Sequence, residues 1–377
     1  MSPQVSLFLS HVTVRSQPRT SLTSTVHPHE LELEYPLAER LPSPAELVEV
    51  APGIRWLRMP LPFALDHIHL WLLRDCFEGR DGWTLIDCGI ASEEVRGLWQ
   101  QIEATALEGL PLVRIICTHM HPDHLGMAAE LSKRHRIALW MTLGEYAMGR
   151  ILSATLPGTD GSASIAHYRQ HGLTDEDTLE QMRRRGDRHF SQLVPSVPLA
   201  YRRIHADEVI TIGQGQWRIV IGRGHSPEHA ALYDEAHQIL ISGDMVLPRI
   251  STNVSVHAIE PEADPVNDYL ESLQRFETCA PDTLVLPSHG RPFRGLHVRL
   301  RQLREHHEAR LLDTLNACRE RPMSAIDLLP VLFRRKLDLH QSGFAIGEAI
   351  AHLHALYFRD QVQRHLDDDG VIRFSVN

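Results

Sequence analysis

THMHPDHLG, residues 118–126, sets three histidines and an aspartate into six positions, His119 to His124. Titratable groups this dense rarely serve packing, because each would need a hydrogen-bond partner to be buried. The run before it, LVRIICT (112–118), is mostly apolar and reads as a buried strand. HLGMAAELSKRH (124–135) follows as a helix. Strand, polar turn, helix is an order that puts reactive groups on a loop held by rigid elements.

Outward from that stretch, WLRMPLPF (56–63), HIHLWLLRD (67–75), GWTLIDCG (82–89) and IALWM (137–141) read as strands. They are short, rich in β-branched and aromatic residues, and punctuated by Pro or Gly turns. Ser92 can cap a helix over 92–109, with Glu93 and Glu94 suited to its first turn. Residues 142–205 break the pattern and look mostly helical. Strand signals return at VITIG (209–213), WRIVIGRG (217–224), AALYDEAHQILISGD (230–244) and TLVLPSHG (283–290). The third reads as a hairpin turning near Asp234 and Glu235, and a helix over 265–280 precedes the last strand. After 295 come a long amphipathic helix (297–320), helical segments near 324–333 and 343–357, and a strand pair over 361–376 around an Asp–Gly turn.

His225 directly follows one of these strands (GRGHSPEH), Asp244 another (LISGDMV) and His289 a third (LPSHGRP). Each is the polar residue where an apolar strand stops. With His119, His121, Asp123 and His124 they make seven candidate metal ligands. Imidazole and carboxylate suit Zn2+, Mn2+ or Fe. A His-x-His pair can aim two imidazoles at one ion, while Asp123 and His124 can serve a second. Asp244 has two oxygens and could bridge both. Seven side chains are too many for one four-coordinate ion and reasonable for two.

The strings THMHPDHLG, GHSPEH, SGD and PSHG, in that order over roughly 48–295, resemble the metallo-β-lactamase superfamily. The resemblance implies an α/β fold: an αββα sandwich, with two mixed sheets face to face, helices outside and metals at one sheet edge. It implies a first site of His119, His121 and His225, a second of Asp123, His124 and His289, and Asp244 between them. It also implies that Asp87, in LIDCG (85–89), orients a ligand histidine. The expected cofactor is a pair of divalent ions, Zn2+ first, with Fe or Mn as alternatives. The expected reaction is hydrolysis by a hydroxide shared between them, with Asp123 and Asp244 as the catalytic carboxylates. The expected substrate is a thioester or ester of the hydroxyacylglutathione or acyl-CoA kind, as in glyoxalase II, with a lactone next. The expected organisation is an N-terminal tail (1–44), disordered or extended, and a catalytic domain (45–295) with a helical insertion at about 142–205. A winged-helix-like C-terminal domain (296–377) completes it.

Substrate contacts are less sharply marked. His257, Tyr168 and Arg184 are candidates, and for each a structural or solvated-surface role competes. Tyr146 and Tyr201 are weighed the same way. His229 reads as structural or as support for a ligand. His306, His307, His352 and His354 lie in helical patterns and read as surface or packing residues.

The formal charge of −10 argues against a general nucleic-acid binder, since phosphate affinity needs clustered Lys and Arg. Residues 296–377 carry twelve Lys/Arg against eleven Asp/Glu, which weakens an RNA-binding role for them. A metal-dependent endoribonuclease and a weakly active metal-containing regulatory protein stand as alternatives to the acyl hydrolase. The five cysteines are scattered with no CxxC, which fits reduced, buried thiols and a cytoplasmic location. No apolar run approaches the roughly 20 residues that span a bilayer. Residues 1–29 hold no Asp or Glu and read as a tail rather than a targeting segment. The expected partner is a small molecule, with no membrane or nucleic acid and a homodimer left open.

Overall fold

The computed structural model describes residues 28–376 except 157, 158, 160, 187, 188, 334–336 and 338. Of the tail expected to be disordered or extended over residues 1–44, residues 1–27 lie outside the described residues. Seven strands run in sequence order across the first sheet. They are β1 (Val48–Ala51), β2 (Ile54–Pro60), β3 (His67–Phe77), β4 (Arg80–Ile86), β5 (Leu112–Ile116), β6 (Leu139–Met141) and β7 (Tyr201–Arg203). The first four are antiparallel, and β4 to β7 are parallel. The second sheet contains β8 (Val209–Ile212), β9 (Gly215–Gly222), β10 (His229–Asp234), β11 (Ile239–Gly243) and β12 (Leu284–Pro287).

Helices α1 (Glu93–Thr105), α2 (Pro122–Leu125), α3 (Ala128–His135), α4 (Leu143–Ala154), α5 (Gly161–Gln170), α6 (Glu176–Gly186) and α7 (His189–Leu193) precede the second sheet. The rest of the chain adds α8 (Pro265–Phe276), α9 (Leu296–Glu320), α10 (Ala325–Leu332) and α11 (Leu339–Phe358). A hairpin of β13 (Gln363–Leu366) and β14 (Ile372–Ser375) closes the chain.

Strand alternation builds the layers, because successive side chains point to opposite faces. Trp56, Trp71 and Ile86 of the first sheet meet Trp217, Ile219 and Ile241 of the second in one buried cluster between the sheets. The other face of the first sheet, with Leu57, Leu70 and Leu85, lies under Val95, Trp99 and Ile102 of α1. Those three recur at helical spacing, and Ser92 caps the helix by accepting from the Val95 amide at 3.2 Å. The far face of the second sheet, with Val220, Ala231 and Leu240, packs under α8, α9 and α11. The expected αββα sandwich is therefore present.

Strand direction places the site. Strands β9 and β11 are both antiparallel to β10, and β12 is parallel to β11, so all three run the same way and end at one edge. Two main-chain bonds stitch the sheets together at that edge. Ala230 N donates to Thr118 O at 2.8 Å, and His69 N donates to Ser288 O at 2.7 Å.

Several expectations need correction. The helix expected over 124–135 is broken at Gly126 and Met127 into α2 and α3. A Cβ at Gly126 would lie 2.6 Å from Ala91 N and 2.7 Å from Gly89 O, so the backbone of 89–91 passes where a side chain would be. Order begins by residue 28 rather than near 45. A short 3-10 helix (Pro28–Glu32) leads to Leu33, which is buried in the same cluster as α9. Glu34 then bridges to Arg294. The three helices and hairpin expected after 295 are present, yet Leu300, Leu303 and Leu353 share one cluster with Val220 and Leu240 of the second sheet. Cys76 is exposed, unlike the other four cysteines, and all five are free. No helix among the described residues is long and apolar enough to cross a membrane.

Candidate metal centre

All seven candidate ligands converge, six of them in two triads and the seventh, Asp244, grouped with His119 and His124 between them. His119, His121 and His225 form one, and Asp123, His124 and His289 the other. His119 Nε2 lies 2.8 Å from His121 Nδ1 and 3.2 Å from His225 Nε2. Asp123 Oδ2 lies 3.6 Å from His124 Nε2 and 3.4 Å from His289 Nε2. Asp244 stands between the triads. Its Oδ2 is 3.5 Å from His225 Nε2, and its Oδ1 is 3.5 Å from both His124 Nε2 and His289 Nε2. Donors about 3.3 Å apart are what a tetrahedral ion with bonds of roughly 2.0–2.1 Å requires.

The surroundings fix which ring nitrogen faces inward. Asp87 accepts from His124 Nδ1 at 2.8 Å, the carbonyl of His67 from His289 Nδ1 at 2.8 Å, and the carbonyl of Asn253 from His225 Nδ1 at 2.8 Å. Thr118 Oγ1 donates to Asp87 Oδ2 at 2.9 Å, which leaves it to accept from His119 Nδ1 at 3.0 Å. With every Nδ1 proton directed outward, the Nε2 lone pairs of these four histidines point at one another and at two carboxylates. Such an arrangement is repulsive unless protons or cations sit inside it. Two of the inward atoms, His124 Nε2 and Asp244 Oδ1, are buried without a hydrogen-bond partner. The donor set therefore fits a pair of borderline or hard divalent cations.

Electrostatics divides the triads. Burial, then neighbouring imidazoles, pushes His119 well below the ordinary histidine range. Burial, then His225, takes His121 down to about 3. In the second triad burial is outweighed by charge. His124 rises to about 9 under Asp87, Asp123 and Asp244, and His289 rises well above its usual value through Asp244 and Asp123. Asp123 is correspondingly lowered to about 2 against its own burial, chiefly by His124. His124 is fully buried, whereas Asp123 and Asp244 keep 18 % and 10 % of their side chains exposed, so the site opens to solvent on its carboxylate side.

Asp87 sits at φ 61°, a left-handed conformation that aspartate tolerates better than most residues. Its Oδ1 accepts from Thr118 N at 2.7 Å while Oδ2 holds His124. Gly243, before Asp244, has φ 52°, and a Cβ there would come 2.2 Å from His229 Nε2. His229 Nε2 in turn accepts from Asp244 N at 3.1 Å, so this histidine supports Asp244.

The substrate candidates divide. His257 is an exposed residue near His225. Tyr168 is half-buried on α5, with its hydroxyl 3.5 Å from where a Cβ on Gly343 of α11 would be. Arg184 lies on an exposed face of α6 and pairs with Glu180 one turn earlier at 2.8 Å. Tyr146 stacks on Tyr201 at 3.7 Å and donates to Pro198 O, so both serve packing. His307, His352 and His354 are fully buried packing residues.

Sequence reasoning missed two groups. His67 supplies the carbonyl under His289, and its own ring is held by Asp66 at 2.7 Å. The only trace of this in the sequence is a polar DHIH at the start of an apolar strand. Glu145, fully buried in α4, accepts from the amides of Met120 and Glu228. An acid in a helix's first turn ordinarily signals only the dipole.

Known proteins resemble this chain in sequence and in fold. The profile of the Metallo-beta-lactamase superfamily matches residues 66–289, and that of the Metallo-beta-lactamase-like, C-terminal domain matches residues 311–377. Probable metallo-hydrolase YqjP of Bacillus subtilis (strain 168) is 22% identical over 345 residues, covering 84% of this chain and 95% of that protein. A beta-lactamase domain protein from Burkholderia ambifaria is 53% identical, with a TM-score of 0.88 over 93% of this chain and 100% of that one. The metallo-beta-lactamase family protein TTHA1429 from Thermus thermophilus is 27% identical, with a TM-score of 0.71 over 87% of this chain and 100% of that one.

Proposed function

The chain belongs to the metallo-β-lactamase superfamily of hydrolases, and on that premise we propose that it is a binuclear metal-dependent hydrolase of acyl thioesters or esters, with lactones next. The observation that carries the reading is Asp244, whose two oxygens face the two triads separately. When bound, two divalent cations would supply Lewis acidity, making water available as a nucleophile at neutral pH and polarising the scissile carbonyl.

The chain's own residues do the rest. His119, His121 and His225 would hold one ion, Asp123, His124 and His289 the other, and Asp244 both. Zn2+ is the first candidate and Fe or Mn the alternatives, since nitrogen and oxygen donors suit each of them. Asp123 stays an anion down to about pH 2 and faces solvent, so it can orient the attacking water. Asp87, Thr118 and the carbonyls of His67 and Asn253 would keep His124, His119, His289 and His225 in the tautomer that offers Nε2 inward. His257, exposed near His225, is the candidate contact for the acyl substrate.

The test is a hydrolysis screen of chelated protein and of protein reloaded with Zn2+, Fe or Mn. Its panel is acyl thioesters, esters, lactones and RNA. Metal-dependent turnover of a thioester or ester is expected. Cleavage of RNA alone, or no turnover anywhere on the panel, would overturn the reading.

A further inference from the structure

Glu145 plays no part in the chemistry above, yet it is a fully buried acid bonded to the loops that carry three of the ligands. Its Oε2 accepts from Met120 N at 2.9 Å, and its Oε1 accepts from Glu228 N at 2.7 Å. Met120 sits between His119 and His121, and Glu228 lies three residues after His225. One carboxylate thus joins the two loops, far apart in the chain, that carry the first triad. The contact is doubled from the other side. Glu228 Oε2 accepts from Gly144 N at 2.8 Å, and Thr142 Oγ1 donates to Glu228 O at 2.8 Å. Thr142 makes no side-chain cap of its own, so the first turn of α4 is capped by the His225 loop instead.

Burying a carboxylate is costly unless its oxygens are satisfied. Burial pushes Glu145 up to about 7, so the acid is held there against a penalty. A glutamine of the same shape offers one acceptor and one donor group, and only a carboxylate accepts on both sides.

We propose that Glu145 is a positioning residue that tethers the His119–His121 loop to the His225 loop and so sets the first metal site without touching it. The second triad is fixed by other groups, Asp87 on His124 and the His67 carbonyl on His289. The tether rests on the two-ion reading, and its effect is confined to one ion.

The test is chelator-competition titration with Zn2+ at pH 8 on the wild-type chain, Glu145→Gln and His225→Ala. Melting temperatures are recorded on the metal-free chains. The wild type is expected to bind two ions. In Glu145→Gln one ion weakens by roughly 10–100-fold, the usual effect of removing a group behind a ligand. The other ion stays as in the wild type, and the metal-free melting temperature barely moves. The weakened ion is the one missing from His225→Ala. Unchanged affinity for both ions overturns the tether alone. Equal loss of both ions with a lowered metal-free melting temperature overturns it in favour of general support of the fold. Glu145→Asp, which keeps the charge but shortens the reach, is scored in the same way, and failure of both variants to fold counts against the tether. A wild-type chain that does not bind two ions sinks the proposed function itself.

Discussion

Asp244 is the residue on which the two triads meet. Asp244→Ala should cost several kcal/mol of transition-state stabilisation, about 10³-fold in kcat/KM; wild-type turnover in that variant would exclude a shared site. Asp87 acts one step back, and Asp87→Asn turns an acceptor into a donor against His124 Nδ1. Metal affinity should fall roughly 10–100-fold in a competition titration. Protonation gives an independent check. His124 is held protonated to about 9 in the metal-free fold, against an ordinary value of 6.5. Its pairing with Asp87, Asp123 and Asp244 therefore stabilises that fold fully below 6.5, and the contribution is lost as pH rises through 9. A bound cation replaces the proton, so thermal melts of the chelated chain should fall across that window while melts of the metal-loaded chain do not. Parallel curves would mean that the proton and the cation do not compete. The seven ligand candidates were legible because His225, Asp244 and His289 each end an apolar strand and the other four crowd a single turn after another. Glu145 and His67 were not, since one resembles a helix-dipole acid and the other acts through a backbone carbonyl that every residue possesses.

At the scale of elements, the strands that carry the site were legible from length and apolar content, and α1 from its cap. The short β1 and β7 were not, having too few residues to show a period. The break between α2 and α3 was hidden too, because its cause is the passage of residues 89–91 rather than anything local. These two origins predict different sensitivities. Ser92→Ala should lower stability by about 1 kcal/mol in denaturant titration and leave metal binding alone. Gly126→Ala meets backbone atoms that cannot rotate away, so it should fall among the severe substitutions, above about 4 kcal/mol, and displace His124 with it. A milder loss at Gly126 than at Ser92 would show that the crossing can relax.

For the whole molecule, the four layers were expected from the family resemblance that the motifs carry, whereas the packing of the C-terminal helices against the second sheet was not. Their apolar faces look the same in sequence whether they pack on one another or on a sheet. In the fold, Leu353 of α11 and Leu240 of β11 belong to one cluster. Leu353→Ala should therefore cost about 2–5 kcal/mol and lower a single unfolding transition that includes the second sheet. Two separate transitions, with only the first moved, would indicate an independent C-terminal unit. The claim beneath all of this is that strand ends from two sheets converge to hold a pair of cations around Asp244. Elemental analysis of the chain after dialysis against Zn2+ and removal of free metal tests it most directly. Two ions per chain, falling in Asp244→Ala, is the expected result; one ion or none in the wild type would contradict it.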